Sequence, residues 1–97
     1  MRKIHERKAT MAANADALIA LPGGIGTFEE LFEIWTWGYL GLHEKPMGLL
    51  NIDEFYTPLL TFLDNTVSHG FLATATREML LDASTPNELL DALEAEL

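Results

Sequence analysis

Ala17-Leu18-Ile19-Ala20-Leu21 is an unbroken apolar run that stops dead at Pro22-Gly23-Gly24, and apolar residues resume at helical spacing from Thr27. A strand with one wet face alternates polar and apolar residues, so a run without alternation is buried on both faces. Such a strand, followed at once by a glycine turn and a helix, belongs in a parallel sheet layered between helices. The rest of the chain repeats the theme. His5 to about Ala13 reads as a short helix, and Thr27 to about Leu40 as a longer one ended by Gly41. Met47-Gly48-Leu49-Leu50 follows Pro46 as a second buried strand. Glu54 to His69 reads as a helix capped by Asp53 and closed by Gly70, with Tyr56, Leu59, Leu60, Leu63 and Val67 on one face. Met79-Leu80-Leu81 is a third short strand. The last helix has a strong start: Thr85 at the N-cap, Pro86 at the first position and Glu88 completing a capping box, before Leu89, Leu90, Leu93 and Leu97.

The expected fold is therefore α/β: a Rossmann-like, doubly wound parallel sheet of three strands with flanking helices, in one partial domain spanning residues 1–97. Parallel sheets are covered on both faces and usually extend further than three strands. Taken alone, this chain would leave an apolar parallel strand at an open edge. There is no cysteine, which removes disulfides, thiol catalysis and cysteine-bound zinc. No apolar run reaches the roughly 18–20 residues of a membrane span, and no signal-peptide core follows the basic start, so the expected location is cytoplasmic.

Charge is unevenly spread. The net value of −9 argues against nucleic-acid or anionic-membrane partners. Yet Arg2, Lys3, Arg7 and Lys8 face only Glu6 within residues 1–8, a local +3, while the other 89 residues carry −12. That basic knot reads either as a solubilising terminus or as one wall of a site for a small anion.

The segment from Leu21 to Glu30 carries the chemistry. Between a buried strand and a helix N-terminus, glycines bring bare N–H groups close to a ligand, and the helix end adds more of them with partial positive charge. Two familiar phosphate loops do not fit. A Walker A loop requires a lysine that Gly26-Thr27 lacks, and the dinucleotide fingerprint requires a third glycine where Glu29 stands. Thr27 with Glu30 has the spacing of a capping box, so Glu30 has a purely structural reading. Against that reading, carboxylates at Glu29 and Glu30 repel the anion the loop is built to hold. A carboxylate is useful there if a cationic transition state forms beside the anion. Cleavage of a ribosyl C–N bond passes through an oxocarbenium-like state of that kind. From the residues alone, both readings of Glu30 stay open.

Pro22-Gly23-Gly24-Ile25-Gly26-Thr27-Phe28-Glu29-Glu30 matches the PGGxGTxxE motif of the LOG (Lonely Guy) family of cytokinin riboside 5′-monophosphate phosphoribohydrolases. Ile4-His5-Glu6-Arg7-Lys8 resembles its companion MxxRK motif, with Ile4 in place of Met. Members are often labelled "possible lysine decarboxylase", a name the motif's chemistry does not support. The resemblance covers essentially the whole chain and corresponds to the C-terminal half of the family domain. It implies Arg7 and Glu30 as the catalytic pair. It implies Lys8, the segment Gly23, Gly24, Ile25, Gly26 and Thr27, and Glu29 and Thr36 as substrate contacts. The implied reaction splits a cytokinin riboside 5′-monophosphate, or AMP, into free base and ribose 5-phosphate, without metal or other cofactor. It also implies a homodimer, and an N-terminal half that supplies the facing wall of the pocket. The alternative is a catalytically silent nucleotide-binding or dimerisation module.

Several residues have plainer readings. The helix from Thr27 to Leu40 is apolar nearly all round, which predicts burial against the sheet and a partner. Glu29, Glu33 and Thr36 form its polar stripe. His5, His43 and His69 lack metal-ligand spacing and are expected at the surface.

Overall fold

The computed structural model describes residues 16–97. The expected helix from His5 to Ala13 and the basic residues Arg2, Lys3, Arg7 and Lys8 lie outside the described residues.

Three strands, β1 (Leu18–Ala20), β2 (Met47–Leu50) and β3 (Leu80–Ala83), form one parallel sheet in the order β1-β2-β3. Ile19 pairs with Gly48, and Gly48 with Leu81. The central strand β2 is buried at every position, as its unalternating sequence requires. Its side chains alternate between two cores. Met47 and Leu49 join Leu80 beneath helix α1 (Ile25–Tyr39) and helix α2 (Thr57–Ser68), where Leu31, Trp35, Leu60 and Leu63 complete the larger core. On the opposite face Leu50 packs with Leu89 and Leu93 of helix α4 (Pro86–Glu94). The sheet is thus covered from both sides, in the α/β layering expected.

Helix α4 begins as expected, with the Thr85 hydroxyl accepting the Glu88 N–H at 3.3 Å. Helices α1 and α2 each end on a glycine in the left-handed region, Gly41 (φ 79°) and Gly70 (φ 80°). The following amides close back on Trp37 and Thr66.

Two expectations about helix starts are corrected. Helix α1 starts at Ile25, with Gly24 as its cap residue and no side-chain cap, so Thr27 is not the N-cap. Helix α2 starts at Thr57. Asp53 lies in a short 3-10 turn (Ile52–Glu54), where it and Glu54 both have positive φ, and it caps nothing. A five-residue helix, α3 (Thr74–Glu78), precedes β3 and has no apolar period to announce it. It is held from outside: Trp35 Nε1 donates to the Thr76 carbonyl at 3.0 Å, and Arg77 pairs with Asp64 at 2.7 Å. Within the chain itself, α1 buries one face against the sheet. Only Leu31 and Trp35 are buried, while Ile25 is 84% and Tyr39 63% exposed.

β1 is an edge strand among the described residues. Helix α4 covers β2 and β3 but leaves Ile19 of β1 43% exposed. Among the described residues no helix is long and apolar enough to cross a membrane.

Candidate functional site

The glycine segment lies at the carboxyl edge of the sheet, between the end of β1 and the start of α1. This is where open parallel sheets place their ligands. The first intrahelical bond of α1 runs from the Phe28 N–H to the Gly24 carbonyl at 3.0 Å. The amides of Ile25, Gly26 and Thr27 therefore precede the ladder and point out of the helix end, with the positive pole of the helix dipole behind them. With no side chain among the described residues capping them, they form an open cradle of donors.

Each glycine has its own reason. A methyl group on Gly23 would collide with Thr27 Oγ1, so the turn closes only around a bare Cα. Gly24 and Gly26 face open space, with nothing within 4 Å of the place a Cβ would occupy. Nothing within the described fold demands glycine at those two positions, and their bareness leaves the mouth of the cradle clear.

Glu30 is half-buried in the second turn of α1. The earlier helix start removes the capping-box reading: Glu30 is the sixth helical residue, and no side chain among the described residues caps this helix. It lies four residues after Gly26 and three after Thr27, hence on their face of the helix, about 6 Å along the axis from Gly26. Helical Cα–Cβ bonds lean toward the N-terminus, which directs Glu30 over the bare Gly26. Among the described residues no hydrogen bond or ion pair engages its carboxylate.

The loop itself is anchored from below. The Tyr56 hydroxyl donates to the Leu21 carbonyl at 2.6 Å. Tyr56 is 1% exposed, and burial raises its phenol above the ordinary tyrosine value. Its own N–H is held by Asn51 Oδ1 at 2.7 Å, and the Asn51 N–H donates to Ala83 at the end of β3 at 2.8 Å. Sequence reading placed Tyr56 only among core residues and gave Asn51 no role. The available signal was chemical: a buried tyrosine needs a partner for its hydroxyl.

Other expected residues stand apart. Arg7 and Lys8 lie outside the described residues. Glu29 is exposed. Thr36 is exposed and donates to the Phe32 carbonyl, and it lines a cavity with Tyr39 and Phe71 that contains none of the glycine segment. His43 is not a free surface group. Its Nδ1 accepts the Lys45 N–H at 3.1 Å, so its Nε2 carries the proton and donates to the Ile34 carbonyl at 2.9 Å. Among the described residues no three of His, Asp and Glu gather to hold a metal ion.

The profile of the family described as "Possible lysine decarboxylase" matches residues 1–93. The chain is similar to the cytokinin riboside 5′-monophosphate phosphoribohydrolase LOG of Oryza sativa subsp. japonica, 57% identical over 91 residues, covering 94% of this chain and 38% of that protein. It is similar to LOG2 and LOG4 of Arabidopsis thaliana, proteins of the same description. LOG2 is 54% identical, over 94% of this chain and 43% of that protein. LOG4 is 53% identical, over 94% and 42%. The chain spans about two-fifths of the length of these relatives.

Proposed function

The chain belongs to the family described as "Possible lysine decarboxylase", and from that premise we propose that it carries the site of a nucleoside 5′-monophosphate phosphoribohydrolase. The substrate is a cytokinin riboside 5′-monophosphate or AMP, and the products are free base and ribose 5-phosphate. One observation carries this reading: an uncapped helix N-terminus opens onto bare glycines, with a carboxylate one turn further along the same face.

The chemistry follows from that spacing. The 5′-phosphate sits against the amides of the segment from Gly23 to Thr27, where fixed N–H dipoles stabilise a dianion. Lys8, from the companion motif, adds a point charge, and Arg7 offers a planar fork of donors to phosphate or ribose oxygens. With the phosphate so held, Glu30 faces the ribose ring. As the C1′–N bond lengthens, positive charge grows on C1′ and O4′, and the Glu30 carboxylate stabilises it while orienting the attacking water. Water adds its oxygen to C1′, the bonding pair leaves with the base nitrogen, and the released proton goes to the base. Glu29 and Thr36 are secondary candidates for substrate contact on the outer stripe of α1.

The span of about two-fifths of the relatives favours a second reading, in which the chain binds nucleotide without turning it over until a further wall is supplied. The exposed apolar residues of α1 and the open edge of β1 support a partner, either a second copy or a polypeptide bearing further parallel strands. Incubation with AMP, N6-isopentenyladenosine monophosphate and plain adenosine separates the two readings. Base released from the monophosphates but not from adenosine supports the hydrolase. Phosphate-dependent binding without release supports the silent module.

A further inference from the structure

Tyr56 connects the glycine segment to the rest of the sheet, and the connection runs through peptide geometry. Its hydroxyl reaches the Leu21 carbonyl across 35 positions of sequence. Leu21 immediately precedes Pro22, so that carbonyl belongs to a planar peptide unit whose next φ is fixed by the proline ring. Holding the oxygen therefore fixes the direction in which the chain enters Gly23 and Gly24, which have no side chains to hold themselves. Tyr56 is itself held at both ends. Its ring lies within the core with Leu31 and Leu60, and its N–H is bound by Asn51, which is tied by its own N–H to Ala83 at the end of β3. The ends of all three strands are thus linked to the entrance of the cradle.

We infer that Tyr56 is a positioning residue for 5′-phosphate binding: its hydroxyl sets the orientation of the Leu21–Pro22 peptide and, through it, the amides of the glycine segment. The inference rests on the phosphate reading given above. It acts through the loop and touches no substrate.

Tyr56→Phe keeps the ring in the core and removes only the donor. Nuclear magnetic resonance titration of the full 97-residue chain with AMP, inorganic phosphate and adenosine reads the effect at the Gly24, Gly26 and Thr27 amides. The expected result is a loss of about fivefold or more in affinity for AMP and phosphate, with any response to adenosine unchanged. Leu63→Val, a core change in α2 away from the loop, serves as the comparison and leaves AMP affinity unaltered. Equal AMP affinity in wild type and Tyr56→Phe overturns the inference while leaving the phosphate reading intact. An equal loss in Leu63→Val also overturns it, because general loosening would then explain the effect. Wild-type chain that binds neither AMP nor phosphate at these amides overturns the phosphate reading, and this inference with it.

Discussion

The Tyr56 hydroxyl donates a 2.6 Å hydrogen bond to the carbonyl of Leu21, joining the loop after β2 to the loop after β1. Burial raises the phenol's pKa above the value of about 10 usual for tyrosine. The unfolded chain therefore ionises first as pH rises. The stabilisation from the buried neutral phenol is complete below about pH 10 and is lost as pH climbs through the raised folded value. In urea denaturation at neutral pH, Tyr56→Phe should cost about 1 kcal/mol. The gap between variant and wild type should narrow above about pH 10. A gap that stays constant from neutral to alkaline pH contradicts the assignment.

Gly48 of β2 lies directly against two leucines of α4. A Cβ there would stand 2.6 Å from Leu89 Cδ1 and 3.4 Å from Leu93 Cδ2. Both leucines are almost fully buried and have nowhere to swing. Gly48→Ala should destabilise the domain by about 1–3 kcal/mol through overpacking, read as a lowered denaturation midpoint. A neutral result would show that α4 is less tightly seated than its contacts indicate.

Glu54 has φ 58° directly after Asp53 at φ 52°. Residues with a Cβ pay roughly 1 kcal/mol or more in the left-handed region, and glycine does not. Glu54→Gly should raise stability by up to about 1 kcal/mol, seen as a higher urea midpoint.

The cap on α4 is a single hydroxyl, Thr85 Oγ1, 3.3 Å from the Glu88 N–H. Thr85→Ala should cost about 1 kcal/mol, and Thr85→Ser should restore most of it.

Much of this architecture was legible in the sequence, and the misses have physical causes. β2 was placed correctly over Met47–Leu50 because a strand buried on both faces leaves no ambiguity between apolar and polar positions. Thr85 was placed correctly because its cap, proline and Glu88 all point the same way. Thr27 misled because Thr27-x-x-Glu30 imitates a capping box while the actual cap residue, Gly24, carries no side chain to advertise itself. The start of α2 moved to Thr57 because Asn51 reaches forward to bind the Tyr56 N–H, a contact five residues long that local propensity does not encode. Helix α3 depends on Trp35, 41 residues away from its partner Thr76. The candidate site was legible in its glycines and in Glu30. Its support by Tyr56 was not, since a tyrosine on an apolar face reads as core until its hydroxyl partner is seen.

In the proposed reaction Glu30 acts on the ribose of a nucleotide held by the glycine segment. The direct measurement is the rate of base release from AMP and N6-isopentenyladenosine monophosphate by wild type and Glu30→Gln, with AMP affinity measured alongside. Because Glu30 caps no helix, the variant should fold and bind AMP within a few-fold of wild type, yet release base at least about 100-fold more slowly. Base release by Glu30→Gln at the wild-type rate, or none from wild type itself, would contradict that role.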